Sequence, residues 1–168
     1  MKRILIVTVV ICLIGFGLAV AQDDIAKHPK CLSCGMDRAK FAHSRVYTEY
    51  NDGSTIGTCS VRCAAAVDVS LFKAKSPVVT RVGDYQTKQL IDAEKAVWVI
   101  GGDKKGVMTK RAKWAFEKKE DARQFIDTHG GIVTTYDMAM KAAYADMYED
   151  MKIKRENRKK KWLNKSKK

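Results

Sequence analysis

The chain has 168 residues and a formal net charge of +13, a length sufficient for one domain or two small ones. The charge is unevenly distributed, because residues 152–168 contain ten basic side chains and one acidic side chain while the remainder is close to neutral. This distribution excludes a folded domain that is basic throughout and assigns the basicity to a C-terminal tail.

The first 21 residues have the pattern of a secretory signal peptide. Lys2 and Arg3 form a basic start, an apolar run covers 4–18, and Ala-Val-Ala at 19–21 matches a small-residue cleavage site. The apolar run is short for a membrane span, and no cysteine follows the cleavage site, so we expect cleavage without a lipid anchor. We therefore predict export to the periplasm. In the periplasm a nucleic-acid partner is not expected. The basic tail instead suits contact with an anionic membrane surface or an acidic protein.

Residues 22–90 predict a first unit with the order β-β-α-β. An Asn-Asp-Gly-Ser turn signal at 51–54 separates two runs rich in β-branched and aromatic residues, which indicates a hairpin. Ser60 is a candidate N-cap, and Pro77 is expected to stop the helix that Ser60 begins. The predicted elements are strands at 45–50, 55–58 and 78–82 and a helix from 60 to about 71.

Residues 91–136 repeat this order, with Gly130-Gly131 as the C-cap of the second helix. The predicted elements are strands at 96–100, 109–116 and 132–135, a turn at 101–106 and a helix at 120–129. The sequence therefore predicts an α+β fold of two related β-β-α-β units, followed by a C-terminal helix and basic tail at 137–168. The repeat is inferred from element order and not from residue identity.

The C-terminal helix carries one stripe at helical spacing, Met140, Tyr144, Met147 and Met151, which is typical of packing against a core. Beyond Lys152 the charge is too dense for burial. We expect that tail to be frayed or disordered.

Four cysteines remain after the signal peptide, and they form two closely spaced pairs. Cys31 and Cys34 bracket a tight turn, and Cys59 and Cys63 share one face of the first turn of a predicted helix. Convergent sulfur favours a metal site, and the thioether of Met36 favours Cu(I) as well as Zn(II). Spacing alone leaves three alternatives open, which are a functional soft-metal site, a structural zinc site and two disulfides.

A Cys-x-x-Cys pair also occurs in enzymes of thiol–disulfide exchange, where it opens a helix in a βαβ setting. Here the pair at Cys31 and Cys34 precedes a hairpin. The sequence contains no carboxylate pair, nucleophile elbow or phosphate-binding loop, so we do not expect an enzyme.

The motif Cys31-Leu-Ser-Cys34-Gly-Met36 resembles the NosL family, the copper-binding accessory proteins of nitrous oxide reductase maturation. The resemblance covers about residues 31–140 and implies a fold of two related β-β-α-β units. It also implies a copper site that uses the cysteine and methionine of the first turn and the methionine of the second unit, here Met36 and Met108. Further similar segments follow in the family's order: 52–53, 98–101, 106–108, 112–116, 121–122, Phe125 and 129–131.

The first half is also similar to a TRASH-type metal module, Cys-x-x-Cys-Gly followed by Cys-Ser-x-x-Cys, which has treble-clef geometry. The chain departs from the NosL pattern in its second cysteine pair, its basic tail and the absence of a lipobox cysteine.

These features predict an exported Cu(I) metallochaperone that delivers the ion to a metal-accepting protein, a periplasmic cuproenzyme. The alternative is a structural-zinc or disulfide-stabilised treble-clef-like module that binds a partner protein. The ion would be bound through Cys34 and Met36, with further ligand candidates Cys31, Cys59, Cys63 and Met108.

Overall fold

The computed structural model describes residues 23–166, so the predicted signal peptide lies outside the described residues. The elements are α1 (Asp23–Lys27), β1 (Val46–Tyr50), β2 (Thr55–Thr58), α2 (Val61–Leu71), β3 (Pro77–Gly83), β4 (Leu90–Asp92), β5 (Val97–Ile100), β6 (Lys113–Phe116), α3 (Lys119–His129), β7 (Ile132–Thr134) and α4 (Tyr136–Lys165).

The strands form two antiparallel sheets with matching topology. The first sheet has the order β2-β1-β3-β4, and the second has the order β6-β5-β7. In each, the first strand lies between its hairpin partner and the strand that follows the helix. The α+β class is confirmed, and the repeated β-β-α-β order is visible in both sheets. The additional strand β4 was not predicted. It spans the boundary between residues 90 and 91 that separates the two predicted units.

Two sequence signals mark the helix ends as predicted. The Ser60 hydroxyl accepts a hydrogen bond from the Cys63 backbone N–H at the start of α2. Gly130, at φ +71°, follows α3 and donates its N–H to the Ile126 carbonyl. Side-chain capping at the first end and a left-handed glycine at the second satisfy backbone groups that have no partner within the helix.

The expectation that Pro77 stops the first helix is wrong, because Pro77 instead opens β3. Helix α2 already ends at Leu71, whose carbonyl accepts from the Ala74 and Lys75 N–H groups in a terminal turn. Proline is tolerated as the first residue of a strand, because its missing donor disturbs the sheet least there.

The second strand of the second unit is shorter than the predicted 109–116. The chain folds back within the preceding loop, where a Cβ on Gly106 would lie 2.9 Å from the Ala112 Cα. Val107 is buried in the core while Met108 has φ +57°. A loop that turns back on itself in this way is incompatible with an extended strand, so β6 begins only at Lys113.

Helix α4 packs against α2 and β5 through Ala139 and Ala143, which are fully buried. The predicted stripe packs only in part, since Met140 contacts the core while Met151 is exposed. The expectation of a frayed tail is wrong in this structure, because α4 continues to Lys165. Lysine, arginine and glutamate are strong helix formers, so these residues extend the helix without packing. Within residues 23–166, no helix has the length and apolar character needed to cross a membrane.

Candidate metal centre

The four cysteines converge, with all Sγ atoms within 4.8 Å of one another. The Sγ atoms of Cys34 and Cys59 are 3.5 Å apart, and those of Cys59 and Cys63 are 3.7 Å apart. A tetrahedron of sulfurs around a metal at about 2.3 Å has edges of about 3.8 Å, so these spacings fit one soft ion. All four cysteines are free thiols in this structure, and no disulfide links them.

The turn that carries the first pair is closed by its own backbone. The Cys31 N–H donates to the Met36 carbonyl and the Gly35 N–H donates to the Cys31 carbonyl, both at 2.8 Å. Gly35 has φ +76°, a left-handed conformation that other residues adopt at a cost. The Leu32 N–H bonds to the Gly57 carbonyl, which fixes the turn to β2. The sequence therefore folds Cys31 and Cys34 towards the end of the hairpin.

The second pair is positioned by the start of α2. Cys59 directly precedes the N-cap, and its carbonyl accepts a 2.9 Å hydrogen bond from the Ser44 hydroxyl. Cys63 lies in the first helical turn, where exposed N–H groups and the helix dipole favour negative charge. Both sulfurs are buried and face the turn that holds Cys31 and Cys34.

A buried ion group links the two cysteine segments. The guanidinium of Arg38 is fully buried and forms a 2.7 Å ion pair with Asp24, which also contacts the buried Arg45 at 3.0 Å. Arg38 also donates to the carbonyls of His28 and Thr58, which lie on the two chain segments that lead into the cysteine pairs. Arg38 thus holds in register the two backbone segments that present the sulfurs.

The second unit covers the other side of the sulfur cluster. Cys31, Cys59 and Cys63 share one buried hydrophobic cluster with residues of the second sheet and α3. The largest of these are Trp114, Phe116 and Phe125, and Val107 joins them from the loop before β6. The cluster of sulfurs consequently lies where the two units meet, although all four cysteines belong to the first.

The sulfurs strongly affect one another's ionisation. Hydrogen bonds from Cys59 and Cys63 hold the pKa of Cys31 well below its usual range. The same contacts with Cys31 raise the pKa of Cys59 and raise the pKa of Cys63 to about 12. Without a metal, these contacts therefore favour a thiolate at Cys31 and disfavour ionisation of Cys59 and Cys63. A bound cation would supply the charge needed to hold all the sulfurs as thiolates.

Comparison with known proteins identifies the family. The NosL family model matches residues 22–160, most of the chain. The chain belongs to the NosL family.

A crystal structure of the copper chaperone NosL from Shewanella denitrificans has a similar fold, with a TM-score of 0.53 and 21% sequence identity. The match covers 64% of this chain and 87% of that chain. A search of curated proteins finds no significant match. The predicted membership of the NosL family is confirmed, and the four neighbouring cysteines fit the predicted cysteine module.

The two methionines that the NosL resemblance implicates occupy different environments. Met36 is half-buried and packs against the cluster that contains the cysteines. Met108 is 45% exposed, while its neighbour Val107 enters the cluster. Metal ligation by either methionine, and by the individual cysteines, stays a prediction.

The ion group of Asp24, Arg38 and Arg45 was missed by the sequence analysis. Buried arginines have no characteristic period, and nothing in the sequence distinguishes Arg38 from the exposed Lys40 two residues later. The sequence does not mark Asp24 either, because an acid in a short polar segment is ordinarily exposed, and its burial is seen only in the structure.

Proposed function

We propose that this NosL-family protein is an exported Cu(I) metallochaperone that carries the ion on its cysteine cluster to a metal-accepting protein in the periplasm. The observation that carries the proposal is the convergence of four sulfurs within 4.8 Å, three of them buried and one partly exposed. Thiolate sulfur is the ligand type that Cu(I) prefers, and the half-buried Met36 adds a thioether beside it.

Transfer requires one accessible ligand, and Cys34 fits that role. It is the one cysteine of the four that is not fully buried. Leu32, in the same turn, is 63% exposed, and a Cβ placed on Gly35 would meet no atom within 4 Å. A recipient sulfur can therefore approach this edge, bind the ion and displace Cys34, whose thiolate then takes up a proton. The copper keeps its oxidation state throughout the exchange.

A structural Zn(II) site is the second candidate, because the sulfur separations of 3.5 and 3.7 Å are close to the edge of a closed tetrathiolate tetrahedron. The two candidates differ in what metal removal does. Structural zinc contributes much of the folding free energy of small domains, so its loss unfolds them. A cargo ion can leave a protein whose two hydrophobic clusters already support the fold.

The test is a Cu(I) titration of the reduced, metal-free protein against a chromophoric Cu(I) chelator. We expect one Cu(I) per chain, a weaker competition by Cys34→Ser, and unchanged competition by the control Ser33→Ala in the same exposed turn. Circular dichroism should show the metal-free protein folded. Failure of the wild type to compete would contradict the Cu(I) assignment, and unfolding on loss of zinc would assign the cluster to the structural-zinc alternative.

Export and the recipient are part of the same proposal. N-terminal sequencing of protein from the periplasm should begin at Gln22 if the signal peptide is cleaved as we expect. The recipient would be a cuproenzyme or its assembly partner that offers soft ligands. Peripheral contact between the basic tail and an anionic membrane stays a prediction.

A further inference from the structure

Helix α4 carries an exposed seam beyond the part that packs on the body. The seam residues follow one another at alternating spacings of four and three, which places them on one side of the helix. They are Tyr144, Tyr148, Met151, Arg155, Arg158 and Trp162. All of them are exposed, Trp162 by 68%.

The seam is distinct from the face that α4 buries. That face is formed by Ala139 and Ala143, and Asp150 extends it by pairing with Arg62 of α2 at 3.0 Å. Seam residue Tyr144 instead lines a groove together with Asp68, Val69 and Phe72 from the end of α2, where the acid of Asp68 favours an apolar side chain over a carboxylate of a partner. Phe72 is 81% exposed. The seam therefore begins beside an exposed apolar patch on the body.

Further along α4 the seam becomes cationic. A second concavity is lined by Met151, Lys154, Arg155 and Arg158. Residues 152–165 contain a single acid, Glu156, which follows Arg155 directly and so lies about 100° around the helix from it. The surface thus runs from an apolar and aromatic end to a basic end with an aromatic anchor at Trp162.

The composition of the seam favours a protein partner over the other occupants. Tyrosine, tryptophan, arginine and methionine are the residues enriched in protein interfaces. A membrane-inserted helix needs a broad apolar face, but Ile153 lies about 180° and Leu163 about 100° around the helix from the middle of the seam, so neither residue broadens it. A second copy of the chain would bring two strongly basic helix ends together, which like-charge repulsion opposes.

We propose that the seam of α4 binds an acidic segment of another protein, in which apolar side chains spaced like the seam residues alternate with carboxylates. Apolar side chains of that segment would contact the groove beside Phe72 and the ring of Trp162. Its carboxylates would pair with Arg155 and Arg158, whose planar guanidinium groups form bidentate hydrogen bonds with carboxylates. The surface needs no metal, so this proposal goes beyond the metal function and is independent of it.

The probe is a synthetic acidic peptide with leucines at the same four-three spacing, added to the mature, metal-free chain. Trp98 and Trp114 are buried, so a blue shift on binding reports Trp162. We expect Arg155→Glu to weaken binding about tenfold or more. The charge-matched control Lys160→Glu lies about 140° around the helix from Arg155 and should weaken binding less than about twofold.

A second pair tests the apolar contacts, since Tyr148→Ala should weaken binding while Ile153→Ala, on the other side, should not. All four positions are exposed, and circular dichroism verifies that the helix is retained. Several results would overturn the proposal: no binding by the wild type, equal binding of a scrambled peptide, or equal losses in Arg155→Glu and Lys160→Glu. So would binding to phosphatidylglycerol vesicles in preference to the peptide, or salt-promoted dimerisation of the chain.

Discussion

Replacing Arg38 by methionine should destabilise the metal-free protein and weaken its hold on metal. The buried guanidinium donates to Asp24 and to four backbone carbonyls, those of Asp24, His28, Val46 and Thr58. Methionine fills a similar volume but removes every one of these donors, although the Asp24 carbonyl keeps another bond, from the His28 N–H. Breaking a buried ion pair by removing one partner typically costs about 3–5 kcal/mol. Because Arg45 still pairs with Asp24, we expect about 3 kcal/mol for Arg38→Met.

The assay is urea unfolding of the reduced protein, with and without one equivalent of Cu(I). Lys40→Met is the matched control, because it makes the same replacement two residues away at an exposed position and should change stability by less than about 0.5 kcal/mol. Asp24→Asn should be more damaging than Arg38→Met, because it removes the one carboxylate charge that Arg38 and Arg45 share in these ion pairs. A loss below about 1 kcal/mol in Arg38→Met would show that the ion group does not support the cysteine segments.

Four further outcomes are expected. Met108→Leu should weaken Cu(I) retention in chelator competition while changing the metal-free melting temperature little, because the side chain is half exposed; unaltered affinity would remove Met108 from the site. Gly35→Ala should cost about 1–2 kcal/mol in urea unfolding, since open space surrounds the position and only its φ of +76° opposes a Cβ; unchanged stability would contradict this. Burial, assisted by the charge of Lys88, lowers the pKa of His43 from 6.5, so its contribution to stability should be fully present above pH 6.5 and decline as the pH falls towards the folded-state pKa. His43→Phe should flatten this pH dependence of the urea-unfolding free energy. If the free energy of His43→Phe declined with pH as steeply as that of the wild type, the prediction would be refuted. Removal of residues 152–168 should leave Cu(I) affinity unchanged and abolish salt-sensitive binding to acidic partners, and a loss of Cu(I) affinity would contradict the assignment of the site to the body.

Local signals were sufficient for most of the fold. The Asn-Asp-Gly-Ser turn, the Ser60 cap and the Gly130 cap each act within a few residues, so their consequences can be predicted from the sequence. Strand β4 and the shortened β6 depend on tertiary contacts instead. Three residues of β4 are too few for a period. The chain leaves an extended conformation at Met108, while its neighbour Val107 fills a core that the first unit shares.

The candidate site likewise combines features that the sequence predicts with features that depend on tertiary contacts. The convergence of the sulfurs follows from two short spacings and a hairpin that brings them together, and sequence analysis predicted it. The polar support around Arg38 could not be predicted, because it joins segments whose proximity exists only after folding. The same holds for the aromatic cover from the second unit, since Trp114 and Phe125 read as ordinary core residues.

The loop that carries Met108 is held by α4 on one side and by the packing of Val107 on the other. Asp146 of α4 accepts hydrogen bonds from Thr109, Arg111 and the buried Lys113, which together close the loop that carries Met108. A non-glycine residue at φ +57° persists only where its surroundings over-determine the backbone, and these three contacts provide that constraint. The loop is thus held from the helix side while Val107 packs towards the cysteines. The backbone of Met108 is therefore held in place by contacts that involve no metal.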